Sequence, residues 1–307
     1  MNHSKPLSRL AHAAALSAGL GALLFSLAMA LHFDRTVGYL NRNAFSTLLY
    51  IVLALFALVC IAAVMDLRKC NKNNTQTTIP DLAADGRISH WCSLVAAVAL
   101  IGALAWECIA SRSADSSSLL RALCALAAAV YFGTRAKKRF AAFGLGVHGY
   151  CVFSVASEYF DWTVPMNSPF KIMQSAALVS VMLFMLAELS IRADRAISPA
   201  RVGVTAALAT VFGITNGITM IIAAIVGDIA PTAYIVRALP SLAIGAYALA
   251  RLYSIANAPA LSLDPLVETA PADAEQVQED PDEGQAQDPV SPQSEIQESP
   301  TTDREEQ

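Results

Sequence analysis

Along the first 256 residues, apolar blocks of roughly 18–25 positions, the length that crosses about 30 Å of hydrocarbon as a helix, alternate with short polar stretches. The blocks are apolar around most of their circumference, whereas a surface helix of a soluble protein carries one apolar stripe. They predict eight membrane-spanning helices, at Leu10–His32, Phe45–Met65, Trp91–Ala110, Ser116–Gly133, Phe140–Ser157, Phe170–Ile191, Val202–Gly227 and Thr232–Tyr253. Ser168-Pro169 and Ser198-Pro199 read as helix starts, because a capping hydroxyl precedes a proline whose missing N–H has no partner to lose. The fold class is therefore all-α, a polytopic transmembrane bundle covering residues 1–256.

Composition agrees with lipid as the solvent. Apolar residues make up 55% of the chain and charged ones 15%, against about 25% charged in soluble proteins. From position 258 the pattern changes. Residues 257–307 hold fourteen acids, the single base Arg304 and seven of the fourteen prolines, with no aromatic residue. Such a segment cannot bury enough apolar surface to offset its ordering entropy, and it reads as a disordered acidic tail. The remainder carries twenty bases and eleven acids.

The bases fix an orientation. Lys5, Arg9, Arg68, Lys69, Lys72, Arg87, Arg135, Lys137, Lys138, Arg139, Arg192, Arg195, Arg201 and Arg251 fall on one side of an eight-span chain, fourteen in all. Arg35, Arg42, Arg112, Arg121, Lys171 and Arg237 fall on the other. The positive-inside rule puts the first side, and both termini, in the cytoplasm. Trp91 sits at the inner boundary and Trp106, Tyr159, Phe160 and Trp162 at the outer one, where amphipathic rings belong. Ala28-Met29-Ala30 resembles a signal-peptidase site, but the preceding apolar run is longer than a usual signal core, so the first helix is read as retained.

Candidate chemistry is sparse. Gly144 to Gly149 spell GxGxxG, but inside a membrane span and not between a strand and a helix, so close helix approach through Ala142 and Gly146 is the better reading. His148 lies about 13 Å past Arg139 by helical rise, and a titratable group at that depth is a functional candidate. Asn216, amid Thr210, Thr215 and Thr219, needs an interhelical partner. Arg121 and Arg237 enter their helices from the outer side, where an arginine can snorkel or face inward. Glu107, Glu158 and Asp161 are the acids available to them, Pro240 interrupts the last span beneath Arg237, and Glu188 is spaced to pair with Arg192.

Arg237, Asn216, His148, Arg121 and Glu158 together form the candidate polar cavity. The six cysteines form no CxxC pair. No HExxH, GxSxG or Walker loop is present, so no catalytic residue, cofactor or metal is assigned. The expected partners are the lipid bilayer, a small polar or anionic solute, and a protein reading the acidic tail; nucleic acid is not among them. The function placed first is a non-catalytic sensing or scaffolding membrane module. The alternative is a small-solute permease or permease component with an outward-facing polar cavity, and a membrane-embedded enzyme comes last.

Overall fold

The computed structural model describes residues 4–34, 39–41, 43–73, 86–110, 116–134, 136–162, 164–165, 167–193, 197–226 and 232–257. Apart from Asn257, the acidic tail read at 257–307 lies outside the described residues. Among the described residues, eight α-helices run in the predicted order: α1 Ser4–His32, α2 Ala44–Asn73, α3 Arg87–Ala110, α4 Ser116–Gly133, α5 Leu145–Tyr159, α6 Pro169–Arg192, α7 Pro199–Val226 and α8 Thr232–Ala256. Seven apolar stretches are long enough to cross a membrane; that of α4, Ser117–Gly133, is shorter.

The helix ends follow local chemistry more than hydropathy. Asn43 caps α2 by accepting from the Ser46 N–H at 2.8 Å, while Ser46 Oγ accepts from the Asn43 N–H at 3.3 Å. Ser198 Oγ accepts from the Arg201 N–H at 3.3 Å, as its position before Pro199 predicts. Ser168 departs from that expectation: it occupies the extended N-cap position of α6, but its buried hydroxyl makes no capping bond. The fifth predicted span is composite. A 3₁₀ segment, Lys138–Gly144, leads into α5, following a turn in which Ala136 takes φ +51°. A two-residue antiparallel ladder, Phe33↔Leu40 and Asp34↔Tyr39, follows α1.

Packing sorts the helices by polarity. α7 and α8 form the centre and pack most extensively on each other; α1 and α6 flank α7, while α3 lies against α8. The most apolar span, α2, is the least buried, as lipid contact requires. α1 is a core helix, with Leu10, Ala11, Ala14 and Ala28 fully buried. His12 meets Tyr253 edge-on at 5.4 Å between ring centroids, which brings the start of α1 to the end of α8. Both ends of the bundle thus lie on one face, termed the termini face below.

Small residues set the closest approaches. A Cβ at Gly213 of α7 would sit 2.5 Å from the Ser241 carbonyl oxygen of α8, and one at Gly245 2.9 Å from that of Ala209. Gly146 meets α4 in the same way, where a Cβ would lie 2.7 Å from the Cys124 carbonyl. Its neighbour at that contact is Gly149, which faces Cys124, and not Ala142, which is exposed. The 3₁₀ geometry around Ala142 rotates it off the face that continues as α5.

The α7–α8 contact gives a direct test. Gly213→Ala should destabilise the purified protein by about 1–3 kcal/mol, the usual cost of over-packing. Gly102→Ala, where nothing lies within 4 Å of the added methyl, should be neutral or slightly stabilising. Thermal unfolding in one detergent distinguishes the two.

Candidate functional site

In a bilayer, a charge that cannot reach water has to be met by the protein itself. The bundle solves this twice. Towards the face opposite the termini, Glu107 near the end of α3 accepts from two arginines. Arg121 Nη2 of α4 donates to Oε2 at 2.8 Å, and Arg237 Nε of α8 donates to Oε1 at 3.2 Å. Ser118, one turn before Arg121, lies 3.0 Å from the same Nη2. The three side chains are between 4% and 13% exposed. Both arginines therefore face the interior, and neither snorkels.

A second group adjoins this clamp on α5, α6 and α8. Lys171 Nζ donates to the Asp161 carbonyl, and the Tyr234 hydroxyl donates to Asp161 Oδ2 at 3.2 Å. These bonds tie the chain after α5 to α6 and α8. Glu158 is buried, and neither carboxylate oxygen has a hydrogen-bond partner. The cations that act on it are Arg237, Lys171 and Arg121. Tyr150 and Ser154 precede Glu158 at four-residue intervals, which places all three on one face of α5. Their hydroxyls are also buried without partners.

Deeper in the bundle, Asn216 of α7 donates through Nδ2 to Gln174 Oε1 of α6 at 2.5 Å. Asn216 Oδ1 and Gln174 Nε2 are left without partners. Ser26 Oγ donates to Thr219 Oγ1 at 3.2 Å, and Thr215 Oγ1 donates to the Ala18 carbonyl at 3.4 Å, joining α1 to α7. His148 lies apart from these groups. It is half-buried on α5 beside Gly144 and Met182, and its ring nitrogens close no hydrogen bond of full geometry.

Of the five sequence candidates, Arg237 and Arg121 meet at Glu107 and Glu158 lies within electrostatic reach of both, while Asn216 pairs with Gln174 and His148 stands alone. The sequence alone offers Glu107 only as an acid within reach of the arginines, and it does not mark Gln174 as a partner. An amide about one and a half turns into an apolar helix is the available signal, and it is diluted by the hydroxyls of neighbouring spans.

The second solution lies towards the termini face. Glu188 Oε1 accepts from Arg192 Nη2 at 3.0 Å, the predicted i,i+4 pair, and from the Tyr247 hydroxyl at 3.1 Å. Its Oε2 accepts from Arg251 Nη2 at 3.3 Å. Arg251 and Glu188 are fully buried. Phe132 and Phe184 pack against Tyr247, with centroids 5.3 and 6.0 Å away. Arg251, on the side of the bundle where its sequence position places it, is not a surface charge: among the described residues it is one of the large side chains that the bundle encloses fully.

No protein-family model, no curated protein and no solved structure matches this chain. The site has to be read from its own geometry.

The Glu188 group makes a quantitative prediction. Glu188→Gln leaves the buried Arg251 without its counter-charge and should cost about 3–5 kcal/mol, the usual penalty for breaking a buried pair. Arg192→Gln, at a side chain that retains 10% exposure, should cost less, because Glu188 keeps Arg251 and Tyr247. Thermal unfolding of the two variants ranks them.

Proposed function

We propose that this multi-pass membrane protein is a non-catalytic sensing or scaffolding module whose termini lie in the cytoplasm. The observation that carries the reading is the Glu107 clamp. One carboxylate holds α3, α4 and α8 together at the end where an outward-facing solute path would have to open, and both of its oxygens are engaged by arginines. Breaking such a buried pair leaves uncompensated charge, so a closed resting bundle is the favoured state. Catalytic residues, cofactors and metals have no part in this reading. The basic face and the acidic tail are the surfaces assigned to a protein partner.

A small-solute permease is the second reading, and one observation favours it. Tyr150, Ser154 and Glu158 present unpartnered polar atoms from one face of α5, beside Arg237. A polar or anionic solute entering there would meet a guanidinium suited to carboxylate or phosphate.

Proteoliposome uptake of small carboxylates, phosphate and neutral polar solutes separates the two. The module reading predicts no saturable uptake and no thermal shift on adding any of them. Saturable uptake that disappears in Glu158→Gln would transfer the assignment to the permease.

The orientation has its own check. In a cysteine-free background, Lys72→Cys and Lys137→Cys should react with membrane-impermeant maleimide only after the cytoplasmic side is opened. Gly38→Cys and Pro165→Cys should react in intact cells. External labelling at position 137 would contradict the arrangement.

A further inference from the structure

The four arginines whose carboxylate bonds are described above, Arg121, Arg192, Arg237 and Arg251, lie within the spans. Two others share a different setting. A groove of about 490 Å³ runs between the end of α2 and the start of α7, with Arg68 and Arg201 at its rim. Both are exposed, and among the described residues neither has an ion-pair partner. Val64, Leu67 and Val204 also line the groove.

The level of the groove in the bundle is fixed by the helices that form it. The apolar span of α2 ends at Lys69 and that of α7 begins at Pro199. Arg68 and Arg201 therefore sit in the last and first turns of their membrane-crossing stretches, where lipid headgroups lie. Val64 and Val204 are three to four residues further in, about 5–6 Å by helical rise. Within one helical turn the groove passes from a doubly cationic rim to a mainly apolar floor, in which the hydroxyl of Thr205 is turned back onto the carbonyls of α7. Among the first N–H groups of α7, those of Arg201 and Val202 are spent on Ser198. The guanidinium groups are the charged donors at the rim.

We propose that this groove binds the headgroup of an anionic phospholipid, its phosphate held between Arg68 and Arg201 and its glycerol and upper acyl carbons lying on Val64, Leu67 and Val204. Guanidinium groups bind phosphate through paired charge-assisted hydrogen bonds. Basic recesses between membrane helices near the boundary suit anionic headgroups for the same reason. The floor separates a lipid from a free anion. Inorganic phosphate would use the arginines but gain nothing from the three apolar side chains, whereas a phospholipid uses both. The inference is independent of whether the bundle is a module or a permease.

The test uses the full-length protein in a neutral detergent, titrated with phosphatidylglycerol, phosphatidylcholine or inorganic phosphate. Thermal unfolding and native mass spectrometry of retained lipid are the readouts. Phosphatidylglycerol should raise the unfolding temperature by several degrees and remain bound, while phosphatidylcholine and inorganic phosphate should do neither. The R68Q/R201Q variant should bind phosphatidylglycerol about tenfold or more weakly, since each basic side chain near a headgroup contributes on the order of 1 kcal/mol. The exposed positions make loss of folding an unneeded explanation, and its unfolding temperature without lipid checks that point. R87Q/K137Q removes two exposed charges from the same face away from the groove and should behave as wild type. Equal weakening in both double variants would reduce the effect to general surface charge and overturn the site. Stabilisation by inorganic phosphate equal to that by phosphatidylglycerol would assign the groove to a free anion. Absence of any preference for phosphatidylglycerol in the wild type would also overturn the proposal, including the case in which the acidic C-terminal segment occupies the groove.

Discussion

A carboxylate inside a bilayer has no water to turn to, and in this bundle Glu107 and Glu188 are each met by two arginines from the same chain. The remainder of the architecture is arranged around these two groups. Glu107 draws α3, α4 and α8 together near the face opposite the termini, and Glu188 joins α6 to α8 nearer the termini face. Lipid gives helices little hydrophobic reason to associate, so close packing and interhelical polar contacts have to specify the arrangement. The glycines of α7 and α8 supply the first of these, and the two carboxylates supply the second. α8 takes part in both, which explains why a helix that carries two charged side chains and an internal proline occupies the middle of the bundle.

The helix count and order could be read from the chain because lipid imposes a length on every span and a polarity on every connection. The apolar block lengths carry the helix count, whereas the fourteen-to-six division of bases bears on orientation. Helix ends were harder. Asn43 and Ser46 form a reciprocal cap that hydropathy does not register, and α2 continues to Asn73, because a helix does not have to stop where its apolar stretch does and Leu67, Arg68, Lys69 and Lys72 favour it. The 3₁₀ entry to α5 was also hidden, since a tight turn after Ala136 leaves no mark on average polarity.

The site was partly readable for a different physical reason. Charged residues inside apolar blocks are costly, so Arg121, Arg237, Glu158 and Glu107 stood out one by one. Which of them meet depends on how helices pack, and one sequence contains no pairing information beyond i,i+4 spacing. Glu188 with Arg192 could be anticipated for that reason, whereas Arg251 could not. Its position near the end of α8 suited a surface charge equally well. The Asn216–Gln174 bond followed the same rule: the need for a partner was evident from Asn216, but the partner's identity was a matter of tertiary structure.

These considerations make the Glu107 clamp the point on which the functional reading depends. If Glu107 and Arg237 hold the bundle closed through each other, their effects on stability must be coupled. The decisive measurement is a double-mutant cycle on thermal unfolding with Glu107→Gln, Arg237→Gln and the double variant, at fixed detergent and pH. The account predicts that the double variant is less destabilised than the sum of the single ones, by roughly 1 kcal/mol or more, as expected for residues in one buried network. Additivity within about 0.3 kcal/mol, the behaviour of independent sites, would contradict it.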